Sequence, residues 1–203
     1  MIEENWVRYV ARCDSHIPGF RDALRPGAGA AELAAAEAVI GRALPEELKT
    51  LLRLNDGAAE HLLVVFPGSW VLNPAAEVAA SWKIWADLHD EDYMRDPEAV
   101  TGQSDRIKQD EHFRLAWIPF AANGMGDSLC IDLDPGPAGQ VGQIISQYHD
   151  EDTRDVLGDS LAEFLAYLVT HFGSDPEERF GDDSWDGIIN PDYAIIPPEG
   201  RGS

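Results

Sequence analysis

Only two cysteines, Cys13 and Cys130, occur among the 203 residues, which excludes a disulfide framework, and their spacing fits no metal motif. Long hydrophobic runs are also missing. Every apolar stretch is broken by Gly, Pro or charge before about 18 residues, the length a membrane helix needs. Basic residues are scarce: 15 Lys and Arg stand against 37 Asp and Glu, for a net charge of −22. Affinity for phosphate backbones and anionic lipid comes from Lys and Arg displacing counterions, so neither nucleic acid nor membrane is an expected direct partner. No secretory leader is expected at this N-terminus, since Met1-Ile2-Glu3-Glu4 carries acid where a secretory signal carries base. A cytoplasmic protein with two free thiols on apolar faces is expected.

Recognisable catalytic frames are equally lacking. A nucleophile needs a base, and the base needs an orienting group. The histidines (His16, His61, His89, His112, His149 and His171) are scattered over different elements, with no Gly-x-Ser-x-Gly elbow. Asn123-Gly124-Met125-Gly126-Asp127 has no P-loop lysine and leads into no helix, so its glycines are expected to supply positive φ in a hairpin. Two acidic groups offer oxygens to calcium: Asp127, Asp132 and Asp134, or Asp150, Glu151 and Asp152. Neither has EF-hand spacing, and Asp132 and Asp134 read as one solvated sheet face. No catalytic residue, metal or cofactor is expected.

What is present is an ordinary globular composition, 44% apolar and 26% charged, long enough for one full core. Ile2, Trp6, Tyr9, Val10 and Cys13 share a helical face near the N-terminus. A second helix starts near Ala31, carries Leu33, Ala36 and Ile40 on one face, and stops at Gly41. A third takes Pro45 as its first residue, buries Leu48, Leu51 and Leu52, and ends at Asn55-Asp56-Gly57. His61–Phe66 and Trp70–Leu72 read as short strands. Pro74 opens a helix with Val78, Trp82 and Trp85 as core, and residues 87–111 read as a polar loop or insertion. Strands follow at Trp117–Ala121, where Pro119 marks an edge or bulge, and at Leu129–Asp134, with Leu129, Ile131 and Leu133 half-buried. Val141–Tyr148 returns as their antiparallel partner.

Ser160 and Glu163 form a capping box ahead of the last helix. Its stripe of Leu161, Phe164, Leu165, Leu168, Val169 and Phe172 is expected to share a core with Leu129, Ile131 and Leu133. The domain thus spans 1–172. Residues 173–203 form an acidic tail with enough aromatic and aliphatic residues to pack in part, or to bind something.

The order of segments carries more than any one of them. Leu33, Glu37, Ile40-Gly41, Leu44-Pro45-Glu46-Glu47-Leu48, Leu51-Leu52 and Asn55-Asp56-Gly57 come first. Then follow Trp82, Trp117-Ile118-Pro119-Phe120-Ala121-Ala122-Asn123-Gly124, Asp127, Asp132-Leu133-Asp134-Pro135 and Gly139-Gln140-Val141-Gly142. From Trp6 to Phe172 this series resembles the SUKH superfamily, in its Smi/Knr branch. The resemblance implies an α+β fold: helices at the N- and C-terminal ends of a mostly antiparallel sheet, with one sheet face left open. It implies no catalytic residues. Bacterial members of that family often serve as immunity proteins against toxins, many of them nucleases, and fungal members as adaptors in cell-wall signalling. The absence of long flanking regions here points the expectation to the bacterial branch.

Charge and resemblance converge on a non-enzymatic domain that binds a protein with a basic surface, such as a nuclease toxin in a toxin–antitoxin pair. Acid that serves only solubility is the alternative reading of the charge; a wall-signalling adaptor, or a metal- or small-molecule-binding domain, is the alternative reading of function. The candidate partner-binding residues are Asp87, Asp90, Glu91, Asp92 and Tyr93 in the insertion, and Tyr148, Asp150, Glu151 and Asp152 after the last strand. Both runs adjoin ordered elements, and Tyr93 and Tyr148 are expected as exposed aromatic anchors.

Overall fold

The computed structural model describes residues 1–59, 64–89, 101–102, 105–108, 111–151 and 153–173. In chain order the elements are α1 (Ile2–His16), a 3-10 turn (Arg21–Ala23), α2 (Ala30–Ile40), α3 (Glu46–Leu54), β1 (Val71–Leu72) and α4 (Ala75–Leu88). They continue with β2 (Thr101–Gly102), β3 (Trp117–Ala122), β4 (Ser128–Asp132), β5 (Gln143–Gln147), β6 (Thr153–Arg154), β7 (Val156–Gly158) and α5 (Leu161–Thr170).

Helix termini follow local chemistry. The Glu32 carboxylate accepts from Gly29 N–H at 2.5 Å to start α2, and Gly41, at φ +76°, ends it in the left-handed region. Pro45 caps α3 from just outside rather than serving as its first residue. Asp56, expected only as a stop for α3, instead caps α4: its Oδ1 accepts from Ala75 N–H at 2.7 Å. Gly57 follows at φ +81°, where a Cβ would lie 2.7 Å from Pro74 N, so this close approach of two backbones admits only glycine. At α5, Ser160 Oγ accepts from Glu163 N–H at 3.1 Å. The Glu163 carboxylate accepts from Asp159 N–H at 3.2 Å, so the capping box is shifted by one residue on its return arm.

Strands β1-β3-β4-β5-β7 form an antiparallel sheet in that order, and β2 pairs in parallel with β6. Together with five α-helices this is the expected α+β fold. The strand expected over 61–66 is not there in its described part. Residues 60–63 lie outside the described residues, and Val64–Phe66 makes only an isolated bridge from Phe66 to Trp70. Pro119 sits at a register shift between β3 and β4, the expected bulge, but in an inner strand.

The sheet has two unlike faces. The inner face, with Ile118, Phe120, Leu129, Ile131, Ile144 and Leu157, packs on α1, α3 and α5 in one large core. Phe164 of α5 stacks edge-on against Phe66 and Phe120, with centroids 5.6 and 6.2 Å apart. Leu133 is partly buried against the same core. The Tyr9 hydroxyl donates to Val65 O at 2.8 Å, and Trp6 Nε1 donates to Asn55 Oδ1 at 2.8 Å, binding α1 to its neighbours.

The outer face, expected to be open, is covered. Trp117, Cys130 and Ile145 meet Ile107 and Phe113 from the segment before β3, with Trp82 and Trp85 of α4 at the margin. Strand β4 is therefore buried along its whole length, and so is β5. Asp132 is a direct casualty of the solvated-face reading: it is 0% exposed. Its carboxylate accepts from Asp134 N–H at 2.9 Å and from Gln143 Nε2 at 3.0 Å. Burial pushes its pKa up despite these donors. Residues 105–108 and 111–116 thus form a lid on the sheet, held by Gln143 Nε2 donating to Arg106 O at 3.0 Å and Trp82 Nε1 donating to Leu115 O at 3.1 Å.

Candidate functional site

The insertion begins later than expected, because α4 continues through Asp87 and Leu88. Asp87 is exposed on the last turn of α4, where Lys83 donates to it at 2.6 Å. Asp90, Glu91, Asp92 and Tyr93 lie outside the described residues, as do Asp152 and the tail from 174. Asp150 and Glu151 are exposed just past β5, where the acidic run was expected. Tyr148 differs from its expected role. It is half-buried against the inner core, its ring centroid 6.3 Å from that of Trp70, and burial raises its phenol pKa. It is part of the wall, not a free anchor.

Next to it lies a polar knot that the sequence reading did not foresee. Gly124 and Gly126, at φ +75° and +107°, turn β3 into β4, and Asn123 Oδ1 accepts from Met125 N–H at 2.9 Å inside the turn. Asn123 Nδ2 donates to Asp127 Oδ2 at 2.7 Å. The other Asp127 oxygen accepts from the His149 backbone N–H at 3.0 Å and from its Nδ1 at 2.8 Å. This ties the β3–β4 turn to the end of β5. A Cβ on Gly126 would come 3.0 Å from the imidazole, so the glycine also gives the ring its place.

The protonation equilibria follow from these contacts. The hydrogen bond to Asp127 raises the His149 pKa; partial burial opposes it and Asp150, 3.7 Å away, adds to it. For Asp127, burial acts upward, but the donors His149 and Asn123 outweigh it and the pKa falls. Asp127, His149 and Asp150 bring one potential ligand atom each within 4.8 Å of one another, the one such grouping among the described residues. The inner edge of that group is taken by the His149–Asp127 hydrogen bond. The calcium trio weighed from sequence is dispersed: Asp127 is at the turn and Asp132 is buried. Asp134 pairs with Lys108 at 2.5 Å and Arg114 at 2.8 Å, which lower its pKa.

Between α4 and this turn runs a groove of about 370 Å³, lined among others by Ile84, Trp85, Leu88, Gly124, Gly126 and His149. Ile84 is 59% exposed, Leu88 36% and Met125, at the tip of the turn, 71%. The helical turn of Asp87 and the start of the Asp150–Glu151 run thus border one apolar surface. Sequence reasoning missed that surface. Its available signal was Ile84 and Leu88, four residues apart and rotated off the Val78–Trp82–Trp85 face. Many cations are already engaged elsewhere: Lys49 with Glu37 and Glu46, Arg106 with Asp159, and Lys108 and Arg114 with Asp134. The thiols offer no chemistry, since both are buried; desolvation pushes Cys13 up to about 12 and raises Cys130 as well.

Residues 27–167 match the SMI1 / KNR4 family (SUKH-1) model, and the chain belongs to that family. It is 27% identical to a glucan synthesis regulatory protein of Neurospora crassa, over 85% of this chain and 38% of that protein. The cell wall assembly regulator SMI1 of Saccharomyces cerevisiae is 32% identical over 40% of this chain and 19% of its own length. The cell wall biosynthesis/cell cycle regulator smi1 of Schizosaccharomyces pombe is 49% identical over 26% of this chain and 10% of its own. The chain spans well under half the length of these relatives. Among the described residues no helix is long and apolar enough to cross a membrane.

Proposed function

We propose that this protein is a non-enzymatic regulator that works by binding another protein, and that it does so along the groove between α4 and the β3–β4 turn. The observation that carries this reading is an exposed apolar strip with carboxylates beside it, on a chain of net charge −22. Apolar contact supplies affinity at such a site, while the surrounding acid speeds encounter with a basic surface and rejects acidic ones. The regulator names of the relatives support an adaptor role in envelope or wall control.

A second reading is favoured by the charge itself. A domain this acidic suits an immunity protein that covers the phosphate-gripping surface of a toxin, a nuclease among them. The test is kinetic and genetic together. Asp87→Lys with Asp150→Lys slows association with the partner and flattens its salt dependence without changing the fold. An unchanged association rate at low ionic strength would remove these carboxylates from the site. Deletion that alters wall composition in the native host supports the adaptor; deletion that sensitises the host to a toxin supports immunity.

A further inference from the structure

Seven large apolar side chains stand exposed among the described residues; two of them, Ile84 and Leu88, line this one groove, and a third, Met125, stands in the turn between the lining residues Gly124 and Gly126. Ile84 and Leu88 are four residues apart on α4 and so project along one line. Opposite them the wall is formed by Gly124, Gly126, Asp127, Ser128 and His149, and at Gly124 there is open space where a Cβ would be. The result is a slot of about 370 Å³ with apolar side chains on the helix side and, on the other, a gap at Gly124 beside polar side chains. Carboxylates flank it. Asp150 is 71% exposed as a side chain, Glu151 follows it, and Asp87 lies on the α4 side.

Charge decides among occupants. Residues 174–203 of this chain carry eight carboxylates against two arginines, so they repel the rim. A second copy brings another net charge of −22. We propose that the groove takes a segment of another protein in which an aliphatic or aromatic side chain sits beside lysine or arginine. The apolar group enters the slot between Leu88 and Gly124, and the cation reaches Asp150. This rests on the reading that the groove is the partner site, and adds to it the chemistry of what the partner presents.

The probe is a short synthetic peptide with one leucine between pairs of lysines, titrated into the full chain and followed by amide chemical shifts. The expected result is saturable shifts at Leu88, Gly124, Gly126 and His149, weakened by salt. Replacing the peptide's leucine by serine weakens binding about tenfold, the effect of deleting a buried anchor. Replacing its lysines by glutamate abolishes binding. Ile84→Ser with Met125→Ser changes only exposed side chains and weakens the leucine peptide to the level of the serine peptide. Shifts centred elsewhere, around Val39 for example, or equal binding of the glutamate peptide, overturn the proposal. So does self-association of the chain that Ile84→Ser abolishes.

A photo-crosslinker at position 84 in the native host separates the proposal from the reading beneath it. A crosslinked partner whose contact segment is acidic or uncharged overturns the occupant chemistry and leaves the groove as the binding site. A partner that binds the Ile84→Ser, Met125→Ser variant unchanged overturns the site itself.

Discussion

The two faces of the sheet are built on different principles. On the inner face, apolar residues from β3, β4, β5 and β7 meet α5 and α1, and cohesion comes from area removed from water and from ring packing around Phe66, Phe120 and Phe164. On the outer face, Cys130 and Ile145 alternate with Ser128, Asp132, Gln143 and Gln147, all buried. There, cohesion depends on each polar group finding a partner, and not all do: Trp117 Nε1 and Gln147 Oε1 are buried with no hydrogen-bond partner. On the inner face a substitution should cost through the cavity it opens, and on the outer face through the polar group it leaves unpaired.

Substitutions separate the two. Phe164→Ala should have the largest effect, a loss of about 3–5 kcal/mol, because it opens a cavity at the centre of the inner core. Equilibrium denaturation reads it, and a loss below 1 kcal/mol would mean that the rings there are loosely packed. Gln143→Leu comes next, at about 1–3 kcal/mol, since it leaves the buried Asp132 without one of its donors. Its pH dependence is the sharper test. Burial already holds Asp132's folded pKa above its unfolded value, so its charge costs stability as pH rises through and beyond that range. The variant should therefore lose more at neutral pH than at pH about 3, where Asp132 is protonated in both states. An equal loss at both would place the effect in packing alone.

Ser160→Ala should cost about 0.5–2 kcal/mol through the lost cap of α5, a local loss on the helical side, with the lid unaffected in amide exchange. The smallest effect belongs to the Asp127–His149 knot. Asp127's lowered pKa contributes order to the turn that is present above its ordinary carboxylate range and lost as pH falls through the folded value. His149's raised pKa contributes order that is full below the ordinary imidazole value and lost as pH rises through the folded one. Protection factors for amide exchange at Met125 and Asp127, whose N–H groups donate to Asn123 Oδ1, should be highest between the two and lower on either side. Asp127→Asn should flatten that profile; an unchanged profile would assign it to other groups.

The same contrast explains what could be read from sequence. The α1 face of Trp6, Tyr9 and Cys13, the α5 stripe and the alternation of Leu129 with Ile131 repeat with helix or strand periods, and all were legible. Asp132 and Gln143 were not, because a polar residue on a strand reads as solvated until the element that covers it is known. That element, residues 105–108 and 111–116, has no period of its own and is placed by tertiary contacts. At the candidate site, Asp150 and Glu151 were legible as an acidic run after a strand. Asp127 and His149, 22 residues apart, meet only once the β4–β5 register is fixed. Tyr148 was misplaced because its neighbours are polar while its ring faces Trp70 across the inner core.

Arg154, fully buried, has a bearing on how the molecule opens. Its guanidinium donates to Glu151 O at 2.5 Å, Thr153 O at 2.9 Å and His112 O at 3.2 Å, so one cation clasps the end of the lid to the strand beside it. Releasing the lid means rehydrating that cation, which is favourable, while exposing Phe113 and Trp117, which is not. These terms oppose each other, so the lid should part from the sheet well before the helical side melts, as a separate cooperative unit with its own opening rate. On that expectation the chain behaves as two unfolding units sharing one sheet, and limited proteolysis should cut first in the lid.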